Sequence, residues 1–146
     1  MIGALAVRRE VRKVFEAMTR QDVDAILAAG SDDAVFEFPT DTILGGVFVG
    51  KDAIRSWYET KHARMVETTF TIRHLSVENV ASMGTSNVVL VEWGLDETDA
   101  DGNDYRLSGV TSLEIEGRKA RRIKTYVYEQ DLLNEIWPAR QSVEVG

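Results

Sequence analysis

Beyond residue 66 the chain changes its hydrophobic period, and that change limits its architecture more than any other feature. Residues 67–81, 86–97, 104–116 and 118–129 are rich in Val, Ile, Thr and aromatics, with the turn stretches SMGTSN, DADGND and EGRK between them. Runs of this kind joined by short polar turns predict an antiparallel meander. Ahead of them the pattern is helical. Val7, Val11, Val14, Phe15 and Met18 mark a first helix, and Val23, Ile26 and Leu27 a second that starts near Asp22 and stops at Gly30. Ala34 to Phe38 reads as a short strand closed by Pro39, and TDTILGGVFVG as a glycine-rich loop. KDAIRSWYETKHARM reads as a third helix, with Ile54, Tyr58, His62 and Met65 on one stripe and Trp57 beside it. Three helices followed by a meander predict an α+β fold.

With 146 residues and no internal repeat or linker, residues 1–146 are expected to form one domain. An apolar fraction of 44% and a charged fraction of 28% match a soluble globular protein. The absence of cysteine excludes disulfides, thiolate metal sites and a cysteine nucleophile. No apolar run reaches the roughly 20 residues of a membrane span, and no secretory signal is legible at the N-terminus, so a cytoplasmic location is expected. The net charge of −7 argues against a nucleic-acid partner. The basic stretch GRKARRIK, residues 117–124, reads as a solvated strand edge, since it lacks the interleaved aromatics of a single-strand binder.

The stretches QDVDAILAAGSDDAVFEFP, GGVFVGKDAIRSWY and EGRKARRIKTYVYEQDLL, in that order and spacing, resemble the SnoaL-like proteins of the nuclear transport factor 2-like superfamily. The resemblance covers almost the whole chain. It implies a curved antiparallel sheet wrapped around helices, a cone with an apolar pocket, and a homodimer through the outer face of the sheet. In that geometry Phe36 and Phe38 point inward and Glu37 outward. Asp32 and Asp33 fall at the helix-to-strand corner, where satisfying backbone donors in a turn is the expected role.

The resemblance also tests the superfamily's chemistries. Ketosteroid isomerases use an Asp base and an oxyanion hole of Tyr and protonated Asp. Those positions correspond here to Phe38, Val14 and Leu107, all apolar. Limonene epoxide hydrolases use an Asp–Arg–Asp set with Tyr and Asn. Their last-strand Asp falls on Thr125, their Tyr and Asn on Phe36 and Phe38, their Arg on Glu92 or Trp93, and their second Asp on Gly94 or Leu95. The acid that SnoaL-type cyclases carry in the last strand is also Thr125 here. Tyr126 keeps the family aromatic, and Tyr128 stands where an Asp is common.

Three polar groups remain as catalytic candidates. His62 can titrate near neutrality, Tyr58 can donate a hydrogen bond, and Glu92 could act as a buried base if its face is inward. If Val89, Val91, Trp93 and Leu95 face inward instead, Glu92 lies outside. Val14, Phe36, Phe38, Trp57, Trp93, Leu107, Thr125 and Val127 are the expected ligand-binding wall. One histidine and scattered acids give no metal site, and no cofactor motif is present. The expected partner is a small apolar molecule, with no nucleic acid and no membrane. Two readings stay open: a small-molecule enzyme (isomerase, dehydratase, cyclase or hydrolase) without the usual Asp, and a non-catalytic binder or dimerising interaction domain.

Overall fold

The computed structural model describes residues 3–79 and 86–140. The end of the run expected to reach residue 81, and the turn at 82–85, lie outside the described residues.

Helix α1 (Ala4–Thr19) buries Val11 and Phe15, with Val7, Val14 and Met18 partly covered on the same stripe. Its end is marked by Gln21 at φ 57°, and the Gln21 amide donates to the Met65 carbonyl at 2.7 Å and to Thr68 Oγ1 at 2.8 Å. Helix α2 (Val23–Ala28) begins where Asp22 accepts from the Ala25 amide at 3.2 Å, an N-cap. Strand β1 (Gly30–Phe38) starts four residues earlier than the expected Ala34. Asp32 and Asp33 therefore lie in the strand, facing Lys51 at 3.3 Å and Arg121 at 3.8 Å, and not in a turn.

The glycine-rich segment holds a short strand, β2 (Gly46–Val49), that pairs antiparallel with β1 from Val35↔Val49 to Phe38↔Gly46. Gly45 is needed just before it: a Cβ there would lie 1.9 Å from the Thr40 carbonyl oxygen. Helix α3 (Lys51–Arg64) follows, then β3 (Met65–Val77), β4 (Ser86–Asp99), β5 (Asp104–Glu116) and β6 (Lys119–Val127). A fourth helix, α4 (Gln130–Ile136), occupies a segment with no helical expectation, and cuts the last strand short of residue 129.

The strands form one curved, unclosed sheet in the order β2-β1-β6-β5-β4-β3. All neighbours are antiparallel except β1 and β6, which run parallel. The α+β architecture thus follows the sequence-based expectation, with β2 and α4 added. Along β4 burial alternates except at Gly94, which is also covered. Asn87, Val89, Val91, Trp93, Leu95, Glu97 and Asp99 are buried on the inner face, whereas Leu90 and Glu92 face outward. Gly109, paired with Trp93, lets the indole lie across β5, since a Cβ there would meet the ring at 2.6 Å and the Tyr126 carbonyl at 2.3 Å. The core is aromatic where helix meets sheet: Phe36 packs edge-on to Trp57 at 4.8 Å, and Phe15 edge-on to Phe70 at 5.6 Å.

Candidate functional site

A cavity of about 220 Å³ lies between the helices and the inner face of the sheet. Phe36 and Phe38 of β1 line it, as alternation along that strand requires. So do Val14, Trp57, Trp93 and Leu107, together with Thr125 and Val127 of β6. Leu133 and Trp137 from the α4 segment complete the wall, so that all three tryptophans of the chain face this space. Trp57 is fixed by a hydrogen bond from Nε1 to the Leu44 carbonyl at 2.9 Å. Trp93 Nε1 donates to Thr111 Oγ1 at 2.9 Å, and Thr111 and Thr125 share a second bond at 2.9 Å. This chain crosses three strands and satisfies the polar side-chain atoms of Trp93, Thr111 and Thr125.

Two of the three catalytic candidates do not reach the cavity. Glu92 lies on the outer face, where it accepts from the Tyr128 hydroxyl at 2.8 Å and sits 3.8 Å from His74 Nε2. The β4 register settles the one-residue ambiguity by turning Trp93 inward. His62 is absent from the wall and packs its ring against Tyr58 at 5.7 Å. The inner stripe of α3 is Ile54, Trp57 and Lys61, a rotation of about one residue from the expected stripe of Ile54, Tyr58, His62 and Met65. Burial and the adjacent Lys61 ammonium hold the His62 pKa below the ordinary histidine value, with Glu97 opposing them. Tyr58 does line the cavity, and burial pushes its hydroxyl well above the ordinary tyrosine range.

The groups that do converge are Lys61 and Glu97. Lys61 Nζ lies 2.7 Å from Glu97 Oε1, with side chains 11% and 1% exposed. The approach falls outside hydrogen-bond geometry, and neither Glu97 oxygen accepts a hydrogen bond among the described residues. Lys61 is also held over two rings, 5.3 Å from the Phe70 centroid and 5.9 Å from that of Trp57. Sequence reasoning missed both, because a charged side chain in a helix or strand is usually solvated. The signals were present: Lys61 follows Trp57 by one helical turn, and Glu97 continues the inward row of Val89, Val91, Trp93 and Leu95. Among the described residues no group of three or more His, Cys, Asp or Glu side chains could hold a metal ion.

An apolar cavity enclosed by helices and one curved mixed sheet defines a cone of the nuclear transport factor 2-like class. Within that class the chain belongs to the SnoaL-like domain family, whose profile matches residues 11–123. Its fold is similar to an NTF2-like protein of unknown function from Burkholderia pseudomallei, at 21% identity over 90% of this chain and 97% of that one, with a TM-score of 0.72. It is also similar to TerC co-crystallised with polyporic acid, at 18% identity over 88% and 95%, TM-score 0.71. An uncharacterised cystatin-fold protein from Novosphingobium aromaticivorans matches at 23% identity over 80% and 94%, TM-score 0.62. No curated protein matches the chain significantly. No helix among the described residues is long and apolar enough to cross a membrane.

Proposed function

We propose that the cavity takes up a small, largely apolar molecule and moves a proton on it, with Glu97 as the general base. One observation carries this reading: a carboxylate 2% exposed faces an apolar cavity, and among the described residues neither oxygen accepts a hydrogen bond. Lys61 at 2.7 Å offsets the charge but leaves both oxygens free to accept, and an acidic C–H or O–H of a ligand is a suitable occupant. The chemistry this arrangement favours is proton removal from carbon next to a carbonyl. The C–H proton passes to Glu97 and the electron pair moves toward the carbonyl oxygen, where the Lys61 ammonium offsets the growing charge. The Tyr58 hydroxyl, protonated across the neutral range, is a second donor at the same wall. Where the substrate carries a β,γ double bond, return of the proton to the γ-carbon of the dienolate is an isomerisation. Expulsion of a β-hydroxyl as water is a dehydration, and attack of the carbanion on a second carbonyl is a cyclisation.

The family assignment supports small-molecule processing as the general role, and TerC, which shares the fold, was co-crystallised with polyporic acid. The 2.7 Å contact between Lys61 and Glu97 favours a second reading, in which the pair only neutralises itself and the cone is a binder. We propose in addition that the outer face forms a homodimer, since Leu90, Tyr126 and Tyr128 are exposed there; light scattering reads its mass. To separate enzyme from binder, 4-phenyl-2-butanone is added in deuterium oxide while tryptophan emission reports occupancy. Binding with protein-dependent deuterium uptake beside the carbonyl supports the base. Binding without uptake leaves the binder.

A further inference from the structure

Part of the basic stretch 117–124 reaches the cavity. Arg118 and Lys119 belong to its lining, as do Ala28, Ala29, Gly30 and Ser31 of the α2–β1 corner. That corner and the β5–β6 turn are tied together: Lys119 Nζ donates to the Ala28 carbonyl at 2.5 Å and the Ala120 amide to the Ala29 carbonyl at 3.0 Å. Here the wall is open, since Glu10, Arg118 and Lys119 are exposed while Lys61 and Glu97 at the other end are buried. Between the two ends α1 contributes Glu10, Val11, Val14, Phe15 and Met18, a stretch of about 12 Å at helical rise.

The charge at this mouth is unbalanced. Glu10 is offset by Lys13 at 3.3 Å, and Lys51 by Asp32 at 3.3 Å. Lys119 bonds a neutral carbonyl, and Arg118 makes no hydrogen bond or ion pair among the described residues. A second, independent observation concerns the same arginine. Gly117 and Arg118 are the central residues of the β5–β6 turn, with φ of 56° and 68°. A two-residue turn with both central φ positive takes Asn-Gly by preference, and a left-handed arginine in place of glycine is uncommon and strained. Strain retained at a cavity mouth points to use of the side chain.

We propose that the mouth reads an anion, and that the molecule taken up is an amphipathic organic acid. Its carboxylate pairs with the Arg118 guanidinium, whose planar fork suits two carboxylate oxygens, with Lys119 beside it. Its apolar body lies along the aromatic wall toward Lys61 and Glu97. The inference rests on the small-molecule reading of the cavity and adds the class of molecule. A net charge of −7 would otherwise repel an acid, which makes a cationic mouth a means of selection.

The test compares 4-phenylbutanoate with its neutral near-isostere 4-phenylbutanamide by calorimetry and by tryptophan emission. The acid is expected to bind about threefold to fivefold more tightly than the amide, the range of an exposed ion pair, and to lose that margin in high salt. Arg118→Gln should bring the acid to the amide's affinity and leave the amide unchanged. Arg118→Gly should do the same while raising Tm by about 3 °C through relief of the turn. If the amide binds and the acid binds no better, or Arg118→Gln leaves the margin intact, the cavity reading stands and the anion inference is overturned. If neither probe binds, the cavity reading fails and the inference falls with it.

Discussion

Glu92 and Glu97 lie on the same strand, and alternation sends them to opposite sides of the sheet. Glu92 is half-exposed, hydrogen-bonded to Tyr128 and close to His74. Glu97 is enclosed, faces one ammonium and accepts no hydrogen bond among the described residues. The chemical group is identical, and the surroundings decide whether it costs free energy. Water stabilises an outer carboxylate whatever its neighbours do. An inner one depends wholly on what shares the cavity. The same contrast recurs on α3, where Lys61 turns in and His62, one residue later, stays outside the wall.

The largest expected effect comes from breaking the inner pair. Lys61→Met strands Glu97 in an apolar space and should lower stability by about 3–5 kcal/mol in chemical denaturation, whereas Glu92→Gln should stay within about 0.5 kcal/mol. Replacing both inner partners, Lys61→Met with Glu97→Leu, should recover most of the loss. A double variant as unstable as the single one would mean that the charge pair is not the source. Next is Gly109→Ala, where the added methyl meets both Trp93 and the Tyr126 carbonyl. Overpacking of this kind costs about 1–3 kcal/mol and should also shift tryptophan emission. Thr111→Val removes the acceptor for Trp93 Nε1 and breaks the link to Thr125, at a cost of about 1–3 kcal/mol by thermal or urea unfolding.

The smallest effect is on pH dependence. Because the folded His62 pKa lies below its ordinary value of 6.5, the folded state prefers the neutral ring. Its contribution is complete above pH 6.5 and is lost as pH falls from there toward the folded value. His62→Gln should therefore lose less Tm than the parent between about pH 7 and pH 5. An unchanged slope would assign the acid sensitivity to other groups.

The long elements were legible because each buries one face against the rest, and burial leaves a period. α1 carries Val7, Val11 and Phe15 at helical spacing, and β4 carries Val89 through Leu95 at alternate positions. β2 was not legible, since four residues at a sheet edge with Val47 and Val49 exposed leave little pattern beside the flanking glycines. α4 fully buries only Leu133 and Ile136, too few positions to separate a short helix from the end of a strand. The apolar wall of the cavity could be read from β1, β4 and β6 by alternation alone. Its charged pair could not be read with the same assurance, because charge suggests solvent and only tertiary enclosure reverses that. Extending the β4 alternation two residues past Leu95 would have reached Glu97. Lys61 needed the helical phase of α3, which Trp57 sets and His62 does not.

The most direct measurement is deuterium uptake by bound 4-phenyl-2-butanone in Glu97→Gln beside Glu92→Gln, with occupancy read from tryptophan emission. The account predicts that Glu97→Gln lowers uptake at full occupancy by about a hundredfold or more, the scale of a general base, while Glu92→Gln matches the parent. Equal uptake in the two variants, or a loss confined to Glu92→Gln, would contradict the assignment of the inner glutamate as the working group.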